Sequence, residues 1–405
     1  MDYEVIISGG GLNGITLALA LNHAGISVAI IDKQARETLS SSDFTGRSYA
    51  LSSASKKMLS ALNVWPNLNS KAQPMLEIKV TDGSIDEKPS PFAMHFNKRD
   101  FNDGPMGFVV EDRHLRHALL KSLADTNVAY FPEVEIVKQT LNGPNAIVEL
   151  NNETSLSTSI LVGADGQNSR TAAAAGIHRI GWDYGQSSLV CAVEHEKPHN
   201  SIAYQHFLPA GPLAILPLTG NRSGIVWTEK SKTASVIHNL KSDEYLDALL
   251  PRFGKFLGNI SLVGSRYIYP LKLSTTHQMI DTRLALVGDA AHSVHPIAGQ
   301  GLNAGFKDVA ALAEILCETK RRGQDLGNQT TLEQYQHWRR FDNAMLSLVT
   351  NGVNNLFSNN NPITRTIRDL GLGLVNNNTI LRQALVANAA GTSGDVPKLL
   401  RGQEL

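Results

Sequence analysis

Residues 3–32 read YEVIISGGGLNGITLALALNHAGISVAIID, and this stretch decides the fold. A short apolar run ends in three glycines, a helical pattern rich in small residues follows, and a second apolar run ends in Asp32. The pattern predicts a strand over Tyr3–Ser8, a helix over Leu12–Ala24 and a strand over Ser27–Ile31. A βαβ unit of this kind places its two strands parallel in one sheet.

The glycines of this unit fit the fingerprint of a dinucleotide-binding turn. Gly9 permits the tight turn, Gly11 lets a pyrophosphate approach the backbone, and Gly14 lets the helix pack closely on the sheet. Free N–H groups at the helix start would bind the phosphates, and Asp32, 21 residues beyond Gly11, would accept hydrogen bonds from an adenosine ribose. A purely structural turn is the alternative. The residues expected to contact the dinucleotide are Gly9, Gly11, Leu12, Asn13, Gly14, Asp32 and Lys33.

The rest of the chain adds further α/β elements and a strand-rich insertion. Arg113–Leu123 has leucines at i, i+4 and i+8, which predicts an amphipathic helix. Residues 78–101 indicate antiparallel strands and loops, and 185–270 is strand-rich with Pro and Gly between the runs. Further strands are predicted over 147–150, 159–162 and 284–287, and helices over 52–62, 302–320 and from about 332 to the end, with breaks at 359–362 and 376–378.

These elements predict an α/β fold: a Rossmann-like nucleotide-binding domain with an inserted antiparallel sheet and a helical C-terminal region. The expected domain bounds are 1–75, 102–182 and 266–325 for the discontinuous cofactor domain, 76–101 and 183–265 for the inserted substrate-binding sheet, and 326–405 for the helical region.

A second motif, LALVGDAAHSVHPIAGQGLNAG over Leu284–Gly305, points to the nature of the ligand. Asp289 offers a carboxylate at the tip of a strand, which suits a ribityl hydroxyl. The helix that can start in Gly299–Gly305 presents its positive end, which suits the anion that builds up on a reduced isoalloxazine. The implied ligand is a flavin. It is FAD rather than FMN, because FMN would leave the adenosine diphosphate site around Asp32 empty.

The Leu284–Gly305 pattern resembles the GD motif of flavin-dependent aromatic hydroxylases, the family of para-hydroxybenzoate hydroxylase. Gly163–Arg170 (GADGQNSR) resembles that family's DG motif, which is linked to both FAD and NAD(P)H, and Arg47 matches a family arginine near the flavin. Arg170 itself stands slightly earlier than in many relatives. The resemblance spans essentially the whole chain, and the further cofactor-binding residues it implies are Arg47, Arg113, Asp165, Gly288, Asp289, Gly299, Gly301, Leu302 and Asn303.

Within this family, the chain is most similar to the ubiquinone-biosynthesis hydroxylases that act on polyprenylated phenols. The likeness lies in Phe207–Leu218, Ile225–Thr228, Tyr269–Leu271 and Phe357–Leu374. It implies that NAD(P)H reduces FAD, that O₂ forms a C4a-hydroperoxide, and that the phenol ring is hydroxylated. The cofactor would carry this chemistry, while the protein positions it and excludes water.

No side-chain nucleophile is required by this mechanism. The loop over 296–301 is expected to line the reactive face of the flavin, with Pro296, Gln300 and Gly301 as the residues nearest the chemistry. A hydroxylase of a soluble aromatic acid, a prenyl-chain reductase and a non-catalytic flavoprotein or assembly component remain as alternatives.

Composition excludes several other classes of protein. The 405 residues carry 37 basic and 37 acidic side chains, so no overall charge would attract nucleic acid. Two distant cysteines cannot build a disulfide framework or a zinc site, and His292 and His295 lack the further ligands of a metal centre. An acidic N-terminus and the lack of an 18-residue apolar run favour a cytoplasmic protein.

The C-terminal region carries a hypothesis about the membrane. Ile363, Ile367, Leu370 and Leu374 fall on one helical face, and Leu381–Asn388 continues helical spacing, with three Arg against one Asp over 363–388. This pattern predicts contact with a membrane surface or with a quinone-biosynthesis complex, because a polyprenyl substrate must be collected from lipid. Packing of this amphipathic segment on the flavin domain is the competing interpretation.

Overall fold

In the computed structural model, the chain is described over residues 1–36, 41–82, 94–97, 104–293, 299–357 and 378–405. The strands are β1 (Tyr3–Ser8), β2 (Val28–Ile31), β3 (Ser48–Ser52), β4 (Ala72–Met75), β5 (Glu77–Asp82), β6 (Met94–Asn97), β7 (Gly107–Glu111), β8 (Ala129–Phe131), β9 (Ile136–Thr140), β10 (Ala146–Leu150), β11 (Ser155–Gly163), β12 (Arg179–His195), β13 (Ile202–Leu208), β14 (Gly211–Leu218), β15 (Arg222–Lys230), β16 (Ile260–Thr276), β17 (Ile280–Asp281), β18 (Leu284–Leu286) and β19 (His292–Ser293). The α-helices are α1 (Leu12–His23), α2 (Ser53–Ala61), α3 (Asp112–Ala124), α4 (Arg170–Ala174), α5 (Ser231–His238), α6 (Ser242–Phe253), α7 (Gln300–Arg321), α8 (Gln329–Phe357), α9 (Thr379–Ala389) and α10 (Lys398–Arg401).

The first sheet is the parallel core of the molecule. Its strands run in the order β17-β18-β11-β1-β2-β8, with β10 and β9 added on β11. The pairs β1–β2, β1–β11, β11–β18 and β2–β8 are parallel, which confirms the predicted βαβ unit. Val5, Ile6 and Ile7 are fully buried, as expected for a central strand with helices over the sheet.

Helices α1, α3 and α7 bury their apolar residues with this sheet in one hydrophobic core. In α3, Leu115, Leu119 and Leu123 are all buried, so the amphipathic helix predicted from their spacing is confirmed. This core extends to Leu332 and Tyr335 of α8. The strands that end at the glycine motifs are therefore anchored in a packed interior.

The second sheet runs in the order β19-β16-β12-β15-β14-β13-β5-β6, and helices α5 and α6 pack on one of its faces. Most of its pairs are antiparallel, as predicted, but β5 pairs with β13 in parallel. The chain enters β5 from β4 rather than through a hairpin from β13, so the two strands need not alternate in direction. Strands β12 and β16 are 17 residues each and run through positions 182 and 266, where domain boundaries were expected.

The C-terminal helices differ in what they cover. Val386 of α9 is buried with residues of β5, β6 and β13, and the Arg382 guanidinium donates to the backbone oxygen of His95 at 3.0 Å. This part of the segment therefore packs on the inserted sheet, and one of its three arginines is engaged there. The stripe over 363–374 lies outside the described residues, and none of the described helices has the length and apolarity needed to cross a bilayer.

Helix α8 presents an apolar face to solvent. Phe341, Leu348 and Val349 are 72%, 64% and 51% exposed, and Met345 and Leu356 lie on the same side. From Asn343 to the end of α8 the sequence contains no charged residue. Large exposed apolar patches commonly mark an interaction surface.

Candidate cofactor site

The turn between β1 and α1 is shaped by three glycines with different roles. Gly9 has a φ of +108°, and a Cβ there would lie 2.5 Å from the backbone oxygen of Ala164. A Cβ on Gly14 would lie 1.9 Å from the backbone oxygen of Gly9, so both positions require glycine. Gly11 instead has open space within 4 Å of its Cβ position, and no side chain caps the start of α1. The turn thus offers free N–H groups to an anion that can approach closely.

Asp32 lies at the end of β2, directly beside this turn. Its carboxylate accepts hydrogen bonds from the backbone N–H of Gly10 and, at 2.6 Å, from that of Gln34. The Tyr130 hydroxyl on β8 is buried there without a hydrogen-bond partner in the described chain, and burial together with Asp32 raises the pKa of Tyr130 to about 12. Asp32 is therefore held at the carboxyl edge of the sheet, where a ribose would have to bind.

A cavity of about 550 Å³ joins this turn to the DG segment, residues Gly163–Arg170. Its lining comes from the first motif and the end of β2, from residues 134–139 at and before β9, from the DG segment and from α3. It includes Gly9, Gly11, Asp32, Lys33, Asp165, Gly166, Asn168, Arg170 and Arg116. Arg116, which pairs with Asp112 at 2.8 Å, was not anticipated from the sequence. The two residues are four positions apart on one helical face, and this spacing could have predicted their ion pair from the sequence.

The DG segment contains one buried polar atom without a partner in the described chain. Oδ2 of Asp165 accepts from the N–H and hydroxyl of Thr171, at 3.1 and 3.0 Å, whereas Oδ1 is buried and has no partner among the residues described. Gln167 donates to the Ser293 hydroxyl at 2.6 Å. The DG segment is thereby joined to the chain that follows the GD turn.

The GD turn, Gly288–Ala290, follows β18 and lies against the first glycine motif. Gly288 has a φ of +60°, and a Cβ on it would lie 2.1 Å from the side-chain nitrogen of Asn13. A Cβ on Gly305 of α7 would lie 2.5 Å from the same nitrogen. The Asn13 amide therefore sits between the GD turn and the second turn of α7, and its buried Oδ1 lacks a hydrogen-bond partner in the described ranges.

Arg179, the first residue of β12, contacts the backbone of the GD turn, and sequence reasoning did not identify it. Its guanidinium donates to the backbone oxygens of Ala290 at 2.7 Å and Asp289 at 3.1 Å. Burial lowers the pKa of Arg179, and the carboxylates of Asp289 and Asp165 oppose this effect. Arg179 thus holds the backbone of the GD turn from one side.

Asp308 of α7 holds the same turn from the interior. Its Oδ2 accepts from the N–H of Gly288 at 3.0 Å and lies 2.6 Å from Nε2 of His292, so one carboxylate oxygen spans the turn. Its Oδ1 accepts from Nε of Arg339 on α8 at 2.8 Å. Burial alone would raise the pKa of Asp308, but His292 and Arg339 lower it to about 2. His292, considered above as a metal ligand, serves this network instead.

Asp289 itself lies beside that network and remains accessible to solvent in a recess. The surrounding protein partly desolvates its carboxylate and raises the pKa of Asp289, while His292, Arg47 and Arg179 oppose the shift. The side chain is therefore available to a ligand hydroxyl.

Arg47 lies on the inserted-sheet side of this recess. Its guanidinium carbon is 5.2 Å from the ring centroid of Tyr49 and 5.8 Å from that of Tyr269 on β16. Desolvation opposes its ionisation, but the surrounding tyrosines and carboxylates, Asp289 among them, raise the pKa of the Arg47 guanidinium. The expected flavin arginine is thus held between the cofactor domain and the second sheet.

The start of α7 provides the last part of the site. Gly299 is left-handed with a φ of +63°, Gly301 has open space around its Cβ position, and Leu302 is half-buried. No side chain caps the start of α7, whose N-cap residue is Gly299. Pro296 lies outside the described residues, so the flavin-face loop stays a prediction.

Asn303 has a structural part in this arrangement. Its side-chain nitrogen donates to the backbone oxygens of Ala50 at 2.9 Å and Gly299 at 3.1 Å. Its oxygen accepts from the N–H of Ser52 at 2.9 Å and the hydroxyl of Ser55 at 2.8 Å. The side chain is thus fully engaged, and only the backbone of Asn303 is free to contact a cofactor.

Arg113 is not brought to this cavity. It donates through Nε to Glu111 at 2.8 Å and lines a second cavity on the neighbouring face of α3. Of the expected residues, Gly9, Gly11, Asp32, Lys33 and Asp165 line the first cavity. The oxygens of Asn13 and Asp165 that lack partners among the described residues, and the open backbone at Gly11 and Gly301, suit a phosphate- and hydroxyl-bearing ligand. The residues present therefore fit FAD.

Comparison with known proteins agrees with this geometry. The sequence profile of a family described as FAD binding domain matches residues 2–345. The chain is 39% identical to ubiquinone hydroxylase UbiL of Rhodospirillum rubrum, over 99% of this chain and 93% of that protein. It is 29% identical to the mitochondrial ubiquinone biosynthesis monooxygenase COQ6 of Rattus norvegicus, over 96% of this chain and 91% of that protein.

Solved structures share the fold. p-Nitrophenol 4-monooxygenase PnpA of Pseudomonas putida superposes with a TM-score of 0.79 at 16% identity, covering 98% of this chain and 99% of that one. PqsL of Pseudomonas aeruginosa, described as a probable FAD-dependent monooxygenase, superposes with a TM-score of 0.76 at 20% identity, covering 91% and 99%.

Proposed function

Because the chain belongs to the FAD binding domain family, we propose that it hydroxylates the aromatic ring of a polyprenylated phenol in ubiquinone biosynthesis. The chain is an FAD-dependent monooxygenase that uses NAD(P)H as electron donor, in agreement with its family and its 39% identity to a ubiquinone hydroxylase. The observation that carries the proposal is the convergence of the glycine turn, the DG segment and the GD turn around one recess beneath the second sheet.

When bound, FAD would supply electron transfer from NAD(P)H and the activation of O₂, by the chemistry set out above for the resembled family. The protein's own residues bind and orient it. Gly11 and the start of α1 would hold the pyrophosphate, Asp32 the adenosine ribose and Asp289 the ribityl chain. Asp308 and Arg179 fix the backbone of the GD turn from its two sides, so Asp289 needs no rearrangement to meet its ligand.

The face of the second sheet toward Arg47 suits a phenol. Ser188 of β12 pairs directly with Thr228 of β15 and with Tyr269 of β16, so the three hydroxyl-bearing side chains share one face of the sheet. The opposite face, with Leu189 and Trp227, packs on α5 and α6. The Ser188 hydroxyl is buried and unpaired in the described chain, which favours a polar group of the substrate as its partner.

The proposed reaction is tested with purified protein, NAD(P)H, ¹⁸O₂ and a short-chain prenylated phenol. We expect a product whose new ring hydroxyl carries ¹⁸O, and we expect Asp289→Ala to lose this product unless FAD is added in excess. Asp247→Ala, an exposed acidic residue on α6, is the matched control. Two results together would reject the substrate class: oxidation of NAD(P)H to NAD(P)⁺ with reduction of O₂ to H₂O₂ and no ring hydroxylation for every prenylated phenol, and ring hydroxylation only of soluble aromatic acids.

We also propose that the exposed apolar face of α8 rests on a lipid surface from which the prenyl tail is taken. Phe341, Leu348 and Val349 supply the apolar contact, and the uncharged stretch after Asp342 incurs little desolvation cost on approach. The wild type should sediment with phosphatidylglycerol vesicles, and Leu348→Gln combined with Phe341→Gln should stay in the supernatant. If both proteins remain in the supernatant, delivery of the substrate by a partner protein becomes the better account.

A further inference from the structure

A second cavity, of about 480 Å³, lies where the start of α3, the approach to β4 and the start of β15 meet. Its charged and titratable lining consists of Lys71, Arg113, His114, His117 and Arg222. Ser42 and Thr219 add hydroxyl groups. The FAD cavity borders the same helix through Arg116, so the two cavities adjoin neighbouring faces of α3.

A single buried carboxylate organises the cations. Glu111 is only 2% exposed and accepts from Nε of Arg113 at 2.8 Å and from Nη2 of Arg222 at 2.7 Å. The ring of Phe44 lies 5.1 Å from the guanidinium of Arg113 and 5.2 Å from that of Arg222. The two guanidinium groups are therefore fixed in place before any ligand arrives, which lowers the entropy cost of binding.

The cavity has an excess of positive charge. Glu111 provides one negative charge against Lys71, Arg113 and Arg222, which leaves a local excess of two. Lys71 forms no ion pair within the described part of the chain. Burial lowers the pKa of His114, against the opposing effect of Glu111, so its ring remains neutral near pH 7 and can donate one hydrogen bond.

We propose that this cavity binds a phosphate group of the dinucleotide that reduces the flavin. Rigid arginines, a free lysine and hydroxyls form a donor set that suits a phosphate dianion, since Arg binds phosphate through paired N–H groups and Lys adds a point charge. A volume of about 480 Å³ also suits part of a nucleotide better than a bare ion. The inference rests on NAD(P)H as the reductant and adds a place on this chain where its phosphates are held.

Direct binding to the FAD-loaded protein is the first test, with adenosine 2′,5′-bisphosphate and inorganic phosphate as titrants in a calorimeter. Lys71→Gln removes one unpaired, exposed charge, and Lys232→Gln removes an exposed charge on α5 far from the cavity. We expect the Kd of the bisphosphate to rise about tenfold in Lys71→Gln and to stay unchanged in Lys232→Gln. Equal affinity in all three proteins would overturn the proposal.

Anaerobic flavin reduction then separates the phosphate groups. In Lys71→Gln, the concentration of reductant that gives half the maximal rate should rise while the limiting rate is retained. A rise for NADPH alone assigns the cavity to the 2′-phosphate, and a rise for NADH as well assigns it to the pyrophosphate. Bisphosphate binding without any phenol hydroxylation would leave this inference standing while the proposed substrate falls.

A second test uses phosphatidylglycerol vesicles, because a lipid headgroup also presents a phosphate and could be the ligand of this cavity. The dinucleotide proposal expects Lys71→Gln and Lys232→Gln to sediment with vesicles as the wild type does. If Lys71→Gln loses vesicle binding and keeps its affinity for the bisphosphate, the cavity receives a headgroup and the dinucleotide proposal is wrong. Retention of FAD by Lys71→Gln, read from its visible absorbance, verifies that the variant is folded.

Discussion

At the scale of single residues, Gly11 and Gly14 are three positions apart in one turn, and each is a glycine for a different reason. A side chain on Gly14 would meet the backbone of Gly9, whereas a side chain on Gly11 would meet only the space that the cofactor needs. The same substitution at the two positions therefore separates a requirement of the fold from a requirement of the ligand.

Gly14→Ala should destabilise the apoprotein by about 3 kcal/mol, because the contact at 1.9 Å forces α1 away from β1. Gly11→Ala should leave the unfolding free energy of the apoprotein within about 0.5 kcal/mol of wild type and should weaken FAD binding. Urea denaturation and FAD titration of each variant provide the two measurements. Equal loss of stability in both variants would show that Gly11 is also required by the fold.

Asp289→Ala should raise the Kd for FAD by roughly 10- to 150-fold, since a charge-assisted hydrogen bond contributes about 1.5–3 kcal/mol. The rest of the turn should persist because Arg179 contacts the backbone of residue 289 rather than its side chain. Quenching of flavin fluorescence gives the affinity, with Asp247→Ala as the control. An unchanged Kd would remove Asp289 from the cofactor site.

The candidate site residues that sequence reasoning named lie inside short local motifs. Asp32, Asp165 and Asp289 each follow a strand, and each lies where a ligand could reach it. Arg179 and Asp308 act on the GD turn from 110 and 20 positions away. Nothing beside them in the sequence indicates a partner, since the fold alone brings them together.

At the scale of secondary-structure elements, α7 and α8 are joined behind the GD turn by the buried pair Asp308 and Arg339. Both side chains are at most 1% exposed. Arg339 also pairs with Asp342 at 2.6 Å and donates to Asn343 at 3.0 Å, so its charge is fully compensated. Removing one member of such a pair leaves a buried charge unpaired, which costs about 3–5 kcal/mol.

This pair predicts a dependence of stability on acid. The pKa of Asp308 in the folded protein is about 2, below its ordinary value of 3.8, so the stabilisation is complete above pH 4 and is lost as pH falls toward 2. The difference in unfolding free energy between wild type and Asp308→Asn should therefore be constant from pH 7 to 5 and shrink below pH 4. Urea titrations at stepped pH measure it, and a difference that stays constant down to pH 2 would contradict the assignment.

Element types followed from the sequence more readily than element neighbours. Strands β1, β2, β11 and β18 and helices α3 and α7 were predicted at positions that overlap the observed ones, whereas the short parallel strand β8 was not predicted. The parallel pairing of β5 with β13 and the 17-residue lengths of β12 and β16 were not, because a period of two says which faces a strand presents and not which strand lies beside it. The exposed face of α8 has the same apolar composition as a buried one, so periodicity could not tell them apart.

At the scale of the whole molecule, the cofactor site joins segments that begin at residues 9, 32, 163 and 288. A ligand that touches all of them only in the folded state shifts the unfolding equilibrium by mass action. The increase in unfolding free energy with FAD should thus reflect contacts with the complete site, whereas the increase with FMN should reflect contacts with its flavin half alone.

FAD at 100 times its Kd should raise the unfolding free energy of the apoprotein by about 2.7 kcal/mol. FMN at the same concentration should raise it less, because the turn at Gly11 and the carboxylate of Asp32 would have no ligand. Thermal melts of apoprotein with each flavin and with ADP as a third arm provide the comparison. Equal stabilisation by FMN and FAD would place the adenosine diphosphate half outside the site.

The distance along the chain between the segments of the candidate cofactor site also has a consequence during synthesis. Gly9 and Asp289 are 280 positions apart, so at about 5–20 residues per second the ribosome needs roughly 15 to 55 s to make the second after the first. β1 has only β2 beside it until β11 is made, and the edge of β11 that pairs with β18 then stays open to wrong partners until β18 follows. The complete cofactor site therefore forms late in synthesis. A cell short of riboflavin would accumulate full-length chains that fold without the ligand that joins these distant segments.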